Sequence, residues 1–256
     1  MAIGSHVFVL RKKRLGRLIT RLFGDFDVHT HYRVKPLISW VHRNNEKCRD
    51  DLVIEIGCGT GSNLFEISSR VDGAGRLVGF DLDGAAISEA QRVASGIGCR
   101  NVEFFQRNCS AFDFPEKPGV IVLMDFLEHI DDPDSFLAGL RHISNEKTVL
   151  VISVPTPRFP MVFGRVFHES IGHVRDGFTK DELTAVLNQN GFKVDSFQYN
   201  TGLIASAACA VFYKYCFKLK GRPKALLALA LSPIRAADIL NGPRMSCSLF
   251  VVASTF

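Results

Sequence analysis

The feature that most constrains the fold is a regular alternation of short apolar runs with segments of helical periodicity. Five apolar runs rich in β-branched residues occupy 52–57, 76–83, 101–108, 119–125 and 148–155. Helical patterns follow three of them, over 62–71, 84–96 and 133–144. Strands that alternate with helices of this length predict a parallel sheet built from βαβ units. Right-handed crossovers then place helices on both faces of that sheet.

The pattern changes after residue 155. A helix begins at Thr179, with acidic residues in its first turn, and ends before Gly191. A sixth strand is predicted over 192–200 and a seventh over 247–254. The apolar, basic stretch between these two strands is far longer than a hairpin loop, so we expect an inserted helical segment there.

These patterns divide the chain into four segments. We expect a basic, helical N-terminal segment over 1–45 and an α/β core over 46–200, doubly wound with helices on both faces. An apolar, basic helical insertion over 201–245 and the last strand of the sheet over 246–256 complete the prediction.

Charge is distributed unevenly along the chain. The 256 residues are 46% hydrophobic and 22% charged, which is ordinary for a globular protein. Residues 1–21 carry six basic side chains and no acid, and residues 201–256 carry seven against one acid, whereas the middle is acidic. Because the positive charge is confined to the ends, nucleic acid is not the expected partner. Basic segments beside apolar ones suit an anionic membrane surface, and the alternative is that both ends are solvated.

The cysteines and the N-terminal sequence indicate the cellular compartment in which the protein is expected. Seven cysteines without a CxxC pair argue against a disulfide framework or a zinc ribbon and favour a reducing environment. The apolar HVFVL precedes the basic cluster, which is the wrong order for a secretory signal. We expect a cytoplasmic protein, with a peripheral position on the inner face of the membrane as an option.

The strongest local motif is the glycine-rich turn from Glu55 to Ser62, at the end of the first strand and the start of a helix. Glycines let a ligand approach the backbone, and the helix N-terminus offers free N–H groups. The spacing is GxGxG, and Ser62 breaks the GxGxxG fingerprint of dinucleotide-binding proteins. Asp81 ends the second strand, where a carboxylate can accept both hydroxyls of a ribose. The alternative is a helix-capping loop with an incidental aspartate.

Several motifs occur together in order: VIEIGCGTG, GFDLD, FLEHI, SVPTP and GHVRDGFTKDELTAVLNQNGF. Over roughly residues 45–200 they resemble the Rossmann-like class I S-adenosylmethionine-dependent methyltransferases. This resemblance implies a seven-stranded, mostly parallel sheet with an antiparallel last strand. It also implies S-adenosylmethionine as cofactor and an in-line methyl transfer, which we expect to be O-methylation of a small or lipid-linked acceptor. The expectation of a lipid-linked acceptor rests only on the insertion and the charge pattern.

The resemblance also implies a set of cofactor-binding residues. Asp81 would hold the ribose and Leu82 would pack on the adenine, while Asn108 takes the place of an aspartate that touches the adenine amino group. The complete set consists of Glu55, Gly57, Gly59, Gly61, Asp81, Leu82, Asn108, Cys109, Met124 and Asp125.

An oxygen acceptor of high pKa needs a general base. The candidates are His129 and His173, and His168 is a third candidate of lower rank. Each of them could instead be a structural histidine. Tyr32, on the N-terminal helix, is a candidate acceptor contact, or else packs that helix on the sheet. Three aspartates at 131, 132 and 134 precede a helix and are interpreted as capping acids. We therefore expect no metal site.

Two other functions are compatible with parts of the sequence. One is a cofactor-binding protein that has lost catalysis and serves as a scaffold. The other is a nicotinamide oxidoreductase, which Ser62 disfavours. The insertion over 201–245 fits an interfacial segment or a lid over an apolar acceptor, or else a cap that buries its apolar face against the protein itself.

Overall fold

The computed structural model describes residues 28–108, 116–216 and 241–256. The chain begins with two helices, continues with strands that alternate with helices, and returns to the sheet in two antiparallel steps. The helices are α1 (Val28–Arg43), α2 (Asn45–Asp50), α3 (Ser62–Arg70), α4 (Gly84–Ile97), α5 (Pro133–Ile143), α6 (Phe159–Phe163), α7 (Arg165–Ser170), α8 (Lys180–Gln189) and α9 (Leu203–Cys216). The strands are β1 (Val53–Ile56), β2 (Leu77–Asp81), β3 (Val102–Gln106), β4 (Val120–Met124), β5 (Val149–Pro155), β6 (Phe192–Asn200) and β7 (Ser248–Thr255).

The seven strands form one sheet in the order β3-β2-β1-β4-β5-β7-β6. Strand β7 runs antiparallel to both of its neighbours, and the strands from β3 to β5 pair in parallel. The predicted seven-stranded, mostly parallel sheet with an antiparallel last strand is therefore confirmed. The strand order reverses between β1 and β4, and ligands bind at such a switch point, beyond the carboxyl ends of the strands.

The hydrophobic core lies on both faces of the sheet. On one face, side chains of α1, α3 and α4, among them Trp40 and Phe65, form one buried cluster. On the other face, α5 and α8 form a second cluster that includes Leu140 and Leu187. Because β1 and β4 are covered on both faces, they are buried throughout, which explains their continuous apolar runs.

Side-chain caps define where the helices begin. Asp132 caps α5 by accepting a hydrogen bond from the Ser135 N–H, which confirms the interpretation of this acid as a capping residue. Thr179 and Glu182 form a reciprocal capping box at the start of α8, as the sequence predicts.

The first part of the insertion is α9, which contacts α1 and α6. Ala205, Cys209 and Phe212 on α9 are buried, so one side of this helix packs against the protein. The second apolar segment, the basic N-terminal cluster and Cys109 lie outside the described residues, in 217–240, 1–27 and 109–115. Within the described ranges, no helix combines the length and the apolar character needed to cross a membrane.

Candidate active site

The turn between β1 and α3 is built from three glycines with left-handed backbone angles. The φ values are +74° at Gly57, +52° at Gly59 and +77° at Gly61. A Cβ atom at Gly57 or Gly61 would lie 2.3 Å from a phenylalanine ring, whereas one at Gly59 would meet nothing within 4 Å. Packing therefore requires two of the glycines, and the third borders open space.

Asp81 joins the glycine turn to the beginning of α4. Its Oδ2 accepts a hydrogen bond from the Gly59 N–H at 2.7 Å, and its Oδ1 accepts one from the Asp83 N–H at 2.9 Å. The carboxylate therefore fixes the shape of the turn. The next residue, Leu82, is 65% exposed, which leaves an apolar surface where the sequence predicts adenine packing.

Glu55 lies in the middle of β1, and its side chain is fully buried. Its Oε1 accepts a hydrogen bond from the Asn63 side-chain amide at 2.6 Å. A buried carboxylate is costly unless it is hydrogen-bonded, so Asn63 supports Glu55. Asn63 is not among the site residues predicted from the sequence, although its position in the first turn of α3, one residue after Ser62, places it beside the glycine turn.

The end of β4 carries a strained residue. Asp125 has φ +51°, which is uncommon for a residue with a side chain. Its N–H donates to the Ser153 carbonyl at 2.8 Å, and its Oδ1 accepts from the Ser153 hydroxyl at 2.9 Å. These two bonds to β5 hold the strained conformation, and strain of this kind clusters at functional sites. Met124 is buried beside it, whereas Asn108, after β3, is exposed.

The structure brings three histidines together next to the end of β4. The ring centroid of His173 lies 4.9 Å from that of His129 and 4.7 Å from that of His168. The Nδ1 atoms of His173 and His168 are 3.1 Å apart, and His129 Nδ1 lies 2.9 Å from the Gly172 carbonyl oxygen. The two histidines that the sequence predicts as bases are therefore neighbours, and the third contacts one of them.

Charged groups lie on both sides of this histidine cluster. His173 Nε2 is 3.7 Å from Oε1 of Glu128, which is fully buried. His168 Nε2 is 3.4 Å from Oδ1 of Asp176. Arg165 donates two hydrogen bonds to the Asp176 carboxylate, at 3.1 and 3.0 Å, and these bonds hold the pKa of Asp176 below its ordinary value.

Three of these side chains are also grouped like metal ligands, which differs from the expectation of no metal site. Glu128, His129 and His173 each offer one ligand atom, and these atoms all lie within 4.8 Å of one another. Sequence spacing did not indicate the group because His173 lies after β5, far along the chain from the other two.

Tyr32 lies on α1 and is only 1% exposed, among the largest fully buried side chains. Trp40, on the same helix, is also buried. This burial favours packing of α1 on the protein over contact of Tyr32 with an acceptor.

Comparisons with known proteins agree with this architecture. The family described as "Methyltransferase domain" matches residues 11–196, more than half of the chain. The aklanonic acid methyltransferase DauC of Streptomyces sp. (strain C5) is 29% identical over 79 residues, which are 31% of this chain and 36% of that protein. The chain thus spans about a third of the length of this curated relative.

Solved structures share the fold at low sequence identity. The magnesium protoporphyrin IX methyltransferase ChlM from Synechocystis PCC 6803, solved with bound SAH, superimposes with a TM-score of 0.58 at 14% identity, covering 97% of each chain. The [4+2]-cyclase SpnF superimposes with a TM-score of 0.59 at 15% identity, covering 86% of this chain and 80% of that one. These likenesses show the fold, and the family match shows that the chain contains a methyltransferase domain. The chain therefore belongs to the class I S-adenosylmethionine-dependent methyltransferases, and its cofactor is S-adenosylmethionine.

Proposed function

We propose that this methyltransferase acts on an oxygen atom of a small or lipid-linked acceptor. The observation that carries the proposal is the cluster of Glu128 and His129, which follow β4, with His173, which follows β5, on the same edge of the sheet as the glycine turn. An oxygen nucleophile of high pKa must lose a proton before or during transfer, and imidazole is the commonest side chain that accepts one.

The residues around the glycine turn fit S-adenosylmethionine. The open space beside Gly59 leaves room for a ligand at the backbone. The Asp81 carboxylate at the end of β2 suits ribose hydroxyls, and exposed Leu82 suits an adenine ring. Glu55, held by Asn63, suits the ammonium group of the methionine portion. When bound, the cofactor supplies a methyl group that its sulfonium centre already activates.

The chain itself supplies positioning and a proton acceptor. Holding two reactants in line accounts for much of the acceleration of such a displacement. The Gly172 carbonyl can only accept a hydrogen bond, so the ring of His129 donates from Nδ1. Neutral His129 then has its lone pair on Nε2, which can accept the proton of an acceptor hydroxyl. His173 is the second candidate for this role.

The apolar surface near the site supports a lipid-linked acceptor over a very polar one. Met161 on α6 and Val166 on α7 are 80% and 82% exposed. Leu203 and Val211 on α9 are exposed as well. With the basic residues of the insertion, this surface suits a lipid-linked acceptor at an anionic membrane surface.

Two measurements test the proposed function. Calorimetry with S-adenosylmethionine and with NADH comes first, and we expect binding of the former alone. Purified protein is then incubated with a labelled methyl donor and soluble or membrane-lipid extracts, and products are identified by mass spectrometry. We expect label on an oxygen atom. Label on a nitrogen or carbon atom instead would overturn the oxygen acceptor.

A further inference from the structure

We propose that Glu128, His129 and His173 bind one divalent first-row transition-metal ion beside the acceptor site. This inference deepens the proposed function, because the ion would bind the acceptor oxygen. The three ligand atoms lie within 4.8 Å of one another, and two imidazoles with one carboxylate are a common ligand set for Zn²⁺ and Fe²⁺.

The contacts around the cluster favour one arrangement of protons on the ring nitrogens, starting from Asp176. Its carboxylate, held by Arg165, lies 3.4 Å from His168 Nε2 and cannot donate, which favours the tautomer of His168 with its proton on Nε2. Neutral His168 then has its lone pair on Nδ1. The partner of that lone pair is Nδ1 of His173, at 3.1 Å, which must therefore be the donor.

A neutral His173 that donates from Nδ1 has its lone pair on Nε2, the nitrogen that lies 3.7 Å from Glu128 Oε1. His129 reaches the same state by a different route, since its Nδ1 donates to the Gly172 carbonyl and leaves the lone pair on Nε2. Metal-binding histidines characteristically donate their other ring N–H to a carbonyl or carboxylate in this way. His129 follows this pattern through Gly172, and a neutral His173 that donates from Nδ1 to His168 has the same tautomer.

The separation of His173 from Glu128 also suits an ion. Two ligand atoms that each lie about 2 Å from one ion are themselves about 3–4 Å apart. The 3.7 Å between His173 Nε2 and Glu128 Oε1 falls within that interval. Three protein ligands leave at least one coordination position open, as in catalytic zinc sites, and an acceptor oxygen can occupy it.

A bound ion would change how the acceptor loses its proton. The lone pairs of His129 and His173 would be engaged with the ion and unavailable as bases. The ion would instead lower the pKa of a coordinated hydroxyl, as zinc does for bound water. In the metal-free alternative, a protonated His173 would form an ion pair with Glu128, and no metal ion would be needed.

The test uses the full chain after treatment with a chelator. Zn²⁺ is titrated by calorimetry, bound metal is counted by elemental analysis, and Co²⁺ is added as a spectroscopic probe. We expect one Zn²⁺ per chain, visible Co²⁺ absorption bands of a nitrogen and oxygen ligand set, and a higher melting temperature with Zn²⁺. Wild-type protein that binds no Zn²⁺ and shows no such bands would overturn the proposal.

Variants locate the site. His173→Gln and Glu128→Gln should each abolish the stoichiometric binding of Zn²⁺. His42→Gln, a substitution of an exposed histidine on α1, should leave it unchanged. Asp176 contacts none of the three proposed metal ligands, but its carboxylate favours the tautomer of His168 and, through it, that of His173. We therefore expect Asp176→Asn to bind Zn²⁺ about 10–100-fold more weakly. Unchanged affinity in folded His173→Gln protein would place the ion elsewhere and contradict the assignment.

Failure of this inference is distinguishable from failure of the proposed function. A chelated protein that binds no metal yet methylates an acceptor oxygen at full rate would overturn the metal site and leave the proposed function intact. A protein that binds Zn²⁺ through these three residues but never labels an oxygen would support the site and contradict the oxygen acceptor.

Discussion

At the scale of single residues, the glycines of the turn meet two different requirements, packing inside the fold and access for a ligand. The sequence motif alone does not distinguish them. Gly57 and Gly61 face phenylalanine rings that a Cβ atom would strike, so the fold itself needs them. Gly59 has open space at the corresponding position, so only its left-handed backbone and the ligand constrain it.

This difference makes Gly59→Val informative. We expect the variant to fold with a loss of roughly 1–2 kcal/mol from the left-handed backbone and to lose S-adenosylmethionine binding, because the new side chain fills the space beside the turn. Calorimetry measures the affinity. Gly98→Val is the matched control, since Gly98 ends α4 with φ +71° and also has nothing within 4 Å of a Cβ atom. Equal affinity in the two variants would show that the turn does not cradle the cofactor.

Asp81 supports a second prediction at this scale. Asp81→Ala removes a carboxylate that both fixes the Gly59 N–H and suits the ribose. Charge-assisted hydrogen bonds contribute roughly 1.5–3 kcal/mol, so we expect about one to two decades weaker S-adenosylmethionine binding. Asp72→Ala, at an exposed acid that follows α3, should bind normally. Unaltered affinity in folded Asp81→Ala protein would refute the ribose assignment.

Some of the candidate site residues could be predicted from the sequence, and others could not. The glycine turn and Asp81 could be predicted because they lie at the carboxyl ends of strands, where ligands bind to a parallel sheet. Asn63 and the contacts among Glu128, His129 and His173 depend on how distant segments pack. No local spacing encodes those contacts, so the metal-ligand grouping was not anticipated.

At the scale of elements, local sequence determined most boundaries. The predicted and observed strands differ by a residue or two at their ends, and β6 spans 192–200 as predicted. Among the helices, Asp132 and Thr179 mark two starts by capping chemistry that is purely local. The short helices α6 and α7 were not predicted, since each is under two turns and is held by packing, as in the contact of Phe159 with the His173 ring.

The capping box of α8 gives a prediction on stability. Thr179→Ala should lower the free energy of unfolding by about 1 kcal/mol, measured by urea denaturation at neutral pH. Thr179→Ser keeps the hydroxyl and should lose much less. A loss as large in the serine variant as in the alanine variant would show that the hydroxyl is not the stabilising group.

The same cap has a defined pH dependence. Hydrogen bonds from the Thr179 backbone and hydroxyl lower the pKa of Glu182 in the folded state. A lowered folded pKa means that the stabilisation is present above the unfolded value, about 4.3 for glutamate, and is lost as the pH falls through the folded value. Glu182→Gln should therefore be less stable than wild type at neutral pH, and the difference should shrink on acidification. A difference that is constant with pH would contradict this linkage.

At the scale of the whole molecule, the charge pattern leads to a prediction on membranes. The basic residues of 1–21 and 201–256 flank an acidic middle, and exposed apolar side chains occupy α6, α7 and α9. We expect the protein to co-sediment with anionic liposomes at low salt and less so at high salt, because each basic residue near the surface contributes about 1 kcal/mol that salt screens. Neutral liposomes are the control. Protein that stays in the supernatant with anionic liposomes at low salt would remove the support for a lipid-linked acceptor.

The position of β7 has a consequence for how the protein is made. Strand β7 lies between β5 and β6, so among the described strands β6 joins the sheet only through a partner that is translated about fifty residues later. A nascent chain that has emerged only as far as residue 240 thus exposes the edge of β5 and leaves β6 without a place in the sheet. Unpaired edges of this kind attract other chains. Ribosome-stalled chains should be protease-sensitive within 192–216 until β7 has left the exit tunnel, and a chaperone that shields sheet edges would act in that interval.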